Sequence, residues 1–122
     1  MKRWILAFLL VVSTVGAETS KVTIEEAEKL IEKKVQVLDV RTEEEWSAGH
    51  LEGAVRVDVL EDDFAEKVVE AVDPKKPVLV YCRSGGRSAR AAKQLEKLGF
   101  VRISDLDGGI TAWKGAGKKV VK

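Results

Sequence analysis

Apolar positions along this chain switch repeatedly between a helical and an extended rhythm. Ile24, Ala27, Leu30 and Ile31 recur at helical spacing. Thr23, with Glu26 three residues later, forms a capping box that starts this helix, and Lys33-Lys34 closes it where cations suit the helix dipole. The β-branched run Val35-Gln36-Val37-Leu38-Asp39-Val40 then reads as a strand, nearly continuous in apolar character and so suited to burial on both faces. Thr42-Glu43-Glu44-Glu45 repeats the capping-box pattern ahead of a short helix that Gly49 stops, and Ala54–Val57 is a short strand. Phe64, Val68, Val69 and Val72 form the apolar stripe of a helix ended by Asp73-Pro74. Pro77–Tyr81 is a strand. Ser88–Leu98 is a helix that buries Ala89, Ala92, Leu95 and Leu98, with Gly99 as its C-terminal cap. Val101–Ser104 is a last strand, Gly108-Gly109 a turn, and Ile110–Trp113 a helical turn. Strands alternating with helices predict an α/β domain with a mainly parallel sheet.

The first seventeen residues break this rhythm. Lys2 and Arg3 precede the apolar run Trp4–Val12, and Ser13-Thr14-Val15-Gly16-Ala17 follows with small residues. Basic, apolar and small regions in that order predict a secretory signal peptide over 1–17, cleaved before Glu18, and a single domain over 18–122. The uncharged stretch is shorter than the roughly 20 residues that span a bilayer. The expectation is therefore export, to the periplasm in a Gram-negative cell, with no membrane attachment after cleavage. Without Lys2 and Arg3 the chain carries 19 basic and 20 acidic side chains, a net charge of −1. That balance argues against nucleic acid as a partner.

Exported proteins usually pair their cysteines, yet Cys82 stands alone. The count excludes a Cys-x-x-Cys pair and iron–sulfur or zinc-finger ligation, and the single His50 has no partner for a metal site. Neither metal nor cofactor is expected. Cys82 opens the glycine-rich turn Cys82-Arg83-Ser84-Gly85-Gly86-Arg87-Ser88, between a strand and a helix. Such a turn aims backbone N–H groups inward, and the next helix adds the positive end of its dipole, so a thiolate at its centre is stabilised. Open parallel sheets place their sites beyond the carboxyl ends of strands, which is where Cys82 falls. A buried structural cysteine is the alternative; two arginines and two adjacent glycines are poor company for an inert thiol.

Four segments together resemble a single-domain rhodanese, a sulfurtransferase. They are Leu38-Asp39-Val40-Arg41, Glu45-Trp46-x-x-Gly49-His50-Leu51-x-Gly53-Ala54, the Cys82–Ser88 loop, and Leu106-Asp107-Gly108-Gly109-x-x-Ala112-Trp113. The resemblance covers about residues 22 to 115. It implies a five-stranded parallel sheet flanked by helices, with Cys82 carrying a sulfane sulfur as a persulfide. It also implies a substrate cradle of Arg83, Ser84, Gly85, Gly86, Arg87 and Ser88, with Arg83 at the mouth placed to pair with sulfonate oxygens. Arg87 either binds substrate or holds the loop by pairing with a carboxylate. Asp39 and Arg41 are expected to organise the surrounding loops, His50 to be satisfied by backbone hydrogen bonds, and Trp46 and Trp113 to pack.

The expected partners are a small sulfur donor such as thiosulfate and an acceptor such as cyanide, a small thiol or a protein thiol. No base is identifiable near Cys82 in the sequence. A non-enzymatic persulfide carrier or binding module is the alternative function. A phosphatase or arsenate reductase on the same fold is disfavoured because Cys82 to Arg87 is Cys-x4-Arg, one residue tighter than the Cys-x5-Arg ring of those enzymes.

Overall fold

The computed structural model describes residues 17–122. The expected signal segment lies outside the described residues but for Ala17. Ten elements alternate: β1 (Glu18–Val22), α1 (Ile24–Glu32), β2 (Gln36–Asp39), α2 (Glu43–Ala48), β3 (Val55–Arg56), α3 (Phe64–Ala71), β4 (Val78–Tyr81), α4 (Gly86–Lys97), β5 (Arg102–Leu106) and α5 (Gly109–Gly115). The sheet is parallel throughout, in the order β1-β5-β4-β2-β3.

Both capping boxes form as the sequence predicts. The Thr23 and Thr42 hydroxyls accept from the third helical amide, while Glu26 and Glu45 reach back to the cap. β4 lies at the centre, and all four of its residues are buried. Its alternation assigns the two faces. Val78, Val80 and Cys82 join Phe64, Val68, Ala92 and Leu95 under α3 and α4. Leu79 and Tyr81 join Ala27, Leu51, Ile110 and Trp113 on the side of α1 and α5. Burying both faces of one strand in this way drives the fold.

Three sequence readings need correction. Residues 18–22, read as no element, form edge strand β1; its register pairs Lys21 with Asp105. Backbone pairing with β5 along all five residues holds the strand, and Val22 is its one buried side chain. The helix after the cysteine loop starts at Gly86, two residues before Ser88, so its inward face carries Ser88, Ala91, Ala92 and Leu95 while Ala89 is exposed. Val69 likewise faces solvent, because Phe64, Val68 and Val72 already fill the contact of α3 with the sheet. The C-terminal segment returns to the site end of the molecule, where His50 and Val121 exchange two backbone hydrogen bonds of 2.8 Å.

Candidate active site

β4 ends at Tyr81 and α4 begins at Gly86, so Cys82 lies in the turn at the carboxyl end of a central strand. The residue is only 1% exposed. Its sulfur faces the loop: the Gly85 N–H donates to Sγ at 3.0 Å, and the Ser88 hydroxyl lies 3.5 Å away. Gly85 has φ of +124°, a conformation that glycine adopts without penalty, and α4 adds the positive end of its dipole. Burial works against ionisation of the thiol. Hydrogen bonds from the Ser88 side chain and from the amides of Ser88, Gly85 and Ser84 outweigh it, and the Cys82 thiol is held below its ordinary range.

The loop is braced from behind by α5. Ile110 N–H donates to the Cys82 carbonyl at 2.9 Å, and Thr111 N–H to the Arg83 carbonyl at 3.0 Å. This approach requires Gly109, with φ of +62°. A Cβ there would lie 2.5 Å from the Arg83 oxygen and 2.6 Å from the Cys82 oxygen. The Gly108-Gly109 turn therefore serves the cysteine loop.

The two loop arginines are placed differently. Arg87 grips Glu45 with both prongs, Nη1 to Oε1 at 2.7 Å and Nη2 to Oε2 at 2.8 Å. Thr42 N–H and O–H both donate to the same carboxylate at 3.1 Å. The Arg87 hydrogen bond, with help from Thr42, overrides burial and holds the Glu45 carboxyl down to about 2. The Arg87 guanidinium is thus committed to shaping the loop. Arg83 is exposed and lines a groove of about 360 Å³ with Gly49, Thr111 and Lys114. Among the described residues neither Arg83 nor Lys114 forms an ion pair. Two cations without an ion-pair partner beside the cysteine loop suit an anion.

Arg41, which also lines this groove, forms a buried pair with Asp39, its Nη2 donating to Asp39 Oδ2 at 2.7 Å and to the Gly49 carbonyl at 2.7 Å. Tyr81 O–H donates to Asp39 Oδ2 at 2.5 Å and its oxygen accepts from Leu51 N–H at 3.0 Å. Burial first, then the Asp39 carboxylate, pushes the Tyr81 hydroxyl far above its usual range, so it stays a donor. These bonds tie β2, β4 and the 49–51 segment together and engage Arg41 through Nε and Nη2 with Asp39 and Gly49. His50 Nδ1 lies 3.0 Å from the Trp46 carbonyl, and its ring stacks on Trp46 at 3.5 Å between centroids.

Sequence reasoning overlooked three contributors. Glu45 reads in the sequence as a helix cap and as the start of a rhodanese-like segment, with no sign of Arg87, whereas its one carboxylate serves both the cap and Arg87. Tyr81 read only as the end of a strand. Asp105 was not singled out; its spacing of two from Ile103, an inward position of β5, is the signal that would have marked it.

Comparison with known proteins agrees with this geometry. The family model for the rhodanese-like domain matches residues 23–116. Thiosulfate sulfurtransferase 18 of Arabidopsis thaliana is 33% identical, over 83% of this chain and 82% of that protein. A tRNA uridine(34) hydroxylase of Chlamydia trachomatis is 39% identical over 75% of this chain, which spans only 30% of that longer protein. The crystal structure of a rhodanese-related protein from Thermoplasma volcanium superposes with a TM-score of 0.73 at 31% identity, covering 83% of this chain and 96% of the other. Fold, loop and relatives converge, and the chain belongs to the rhodanese-like domain family.

Proposed function

We infer that this protein is a thiosulfate-type sulfurtransferase working through a Cys82 persulfide. The observation that carries the reading is the buried Cys82 sulfur set within the loop, 3.5 Å from the Ser88 hydroxyl and accepting the Gly85 N–H at 3.0 Å, where Ser88 first and then Gly85 and Ser84 favour the thiolate against burial. The thiolate attacks the outer sulfur of thiosulfate; the sulfur–sulfur bond breaks, its electron pair leaves with sulfite, and Cys82 keeps the transferred sulfur as a persulfide anion. A thiophilic acceptor, cyanide or a thiol, then attacks that outer sulfur and releases the Cys82 thiolate. Splitting the transfer in two gives ping-pong kinetics. Donor hydrogen bonds from the loop offset the negative charge at each stage. Arg83 and Lys114 suit the sulfonate of the donor, while Arg87 holds the loop to α2.

Support for small sulfur substrates comes from the family and from the thiosulfate sulfurtransferase of Arabidopsis thaliana. The test is mass spectrometry of the protein after exposure to thiosulfate. Wild type is expected to gain one sulfur, roughly 32 Da, on its nucleophilic cysteine. Cys82→Ser is expected to gain none while folding normally. Turnover of thiosulfate with cyanide beyond one equivalent separates an enzyme from a carrier. Unchanged mass, with activity retained in the mutant, overturns the reading. Export is a further part of this proposal. It rests on the 1–17 pattern, and a mature N-terminus at Glu18 in secreted protein is the expected result.

A further inference from the structure

The buried charged side chains among the described residues are Asp39, Arg41 and Asp105. The first two satisfy each other. Asp105, 3% exposed, takes no part in the chemistry above, yet its Oδ1 accepts the Ser88 O–H at 2.7 Å and its Oδ2 lies 3.4 Å from Lys21 Nζ. Sheet register explains the cluster. Lys21, Asp105 and Val80 occupy one row across β1, β5 and β4, and Cys82 follows Val80 by two residues on the same face. Ser88, in the first turn of α4, meets that face.

Ser88 has one hydroxyl proton and three acceptors within reach: Asp105 at 2.7 Å, the Gly85 carbonyl at 3.2 Å and the Cys82 sulfur at 3.5 Å. While the proton points at Asp105, Ser88 offers the sulfur a lone pair, which suits a protonated thiol that can donate. Turned around, the same hydroxyl donates to the sulfur and favours the thiolate. Carboxylate and thiolate therefore compete for one proton. Lys21 weights the contest by drawing on the carboxylate. It reaches Asp105 along a crevice of about 230 Å³ between β1 and α4, which shares no lining residue with the Arg83 groove.

We propose that Asp105 is a positioning residue that decides whether the Ser88 hydroxyl faces its carboxylate or the Cys82 sulfur, and so how readily Cys82 gives its proton to solvent, with Lys21 tuning that choice from the crevice. No covalent bond to Asp105 or Ser88 forms; the hydroxyl rotates, and the thiol proton leaves to water. The other charges near this cluster are Arg83 on the loop, the Arg87–Glu45 pair between α4 and α2, and Lys93 and Glu96 of α4 at the crevice. The first three lie on the loop side, while the last two share the crevice with Lys21. A consequence is control from outside the substrate groove: an anion that draws Lys21 away from Asp105 makes Cys82 less reactive.

The proposal deepens the sulfurtransferase reading, but its test needs only the thiolate, so either can fail alone. The pH profile of Cys82 alkylation by iodoacetamide is measured in wild type, Asp105→Asn and Lys21→Met, and again for each in a Ser88→Ala background. Asp105→Asn is expected to move the midpoint down by about one pH unit, a tenfold change in the ionisation constant, and Lys21→Met to move it up by about half as much. In the Ser88→Ala background both shifts are expected to disappear, because the hydroxyl that transmits them is gone. Shifts that persist in full without Ser88 would mean that the charges act through space, and overturn the proposal. Midpoints that do not move in either single variant overturn it too. Lys21 is largely exposed, so its variant keeps the test decisive if Asp105→Asn does not fold.

Discussion

Arg87 and Glu45 form a two-pronged ion pair, 2.7 and 2.8 Å, that fastens the sulfur-bearing loop to α2 across 42 positions of sequence. One carboxylate thereby serves two structures, capping α2 through Thr42 and holding Arg87 near the end of the loop. The loop's shape depends on this tether, since its glycines supply no side-chain contacts of their own.

The tether has a pH signature. Glu45 is held at about 2 by Arg87 first and by Thr42 next, against an unfolded value of 4.5. A depressed folded value means the stabilisation is complete above pH 4.5 and is lost as pH falls toward 2. The pair is partly solvated, so screening leaves it worth about 1 kcal/mol. Glu45→Gln is expected to unfold at a lower temperature than wild type at pH 7, with the difference fading as the two melting curves are followed down toward pH 2.

Glycine at 109 is required more strictly than glycine at 85. Both have positive φ, but a Cβ at 109 strikes the Cys82 and Arg83 carbonyls, whereas at 85 it meets nothing within 4 Å. Gly85→Ala is expected to cost about 1 to 2 kcal/mol of backbone strain. Gly109→Ala is expected to cost several times that and to abolish persulfide formation, because the loop carbonyls must move. Urea unfolding of the two variants side by side checks the order.

Removing the Tyr81 hydroxyl leaves two buried groups short of a partner, the Leu51 amide and one Asp39 lone pair. Tyr81→Phe is expected to destabilise the protein by about 2 to 3 kcal/mol, the range for buried groups bonded to a charge. Since the hydroxyl does not face the sulfur, the alkylation pH profile of Cys82 is expected to stay unchanged. A variant of wild-type stability would show that the network is dispensable.

Among the described residues Arg83 and Lys114, both on the groove, form no ion pair. Charge-assisted hydrogen bonds contribute about 1.5 to 3 kcal/mol, so Arg83→Ala is expected to lower kcat/KM for thiosulfate roughly ten- to a hundredfold. Lys114→Ala, outside the cysteine loop, is expected to show a smaller loss, and both variants are expected to spare an uncharged sulfur donor. Equal losses for charged and neutral donors would assign Arg83 to loop shape instead.

What the sequence determined by itself was local. Capping boxes at Thr23 and Thr42, the apolar run into Cys82 and the glycine turn after it are written in neighbouring residues, because helix starts, strand burial and turn geometry are decided within a few positions. The α/β class follows from those, as does the proposal of Cys82 as nucleophile. The tertiary structure decided which distant groups meet. Polar Glu18-Thr19-Ser20-Lys21 shows no strand signal, yet pairing with β5 makes it β1 and puts Lys21 beside Asp105. Asp105 reaches Ser88 across 17 positions, Arg87 reaches Glu45 across 42, and Tyr81 reaches Asp39 across 42. Each partner is chosen by strand order and register, which depend on how both faces of the sheet are buried at once. No local propensity carries that information.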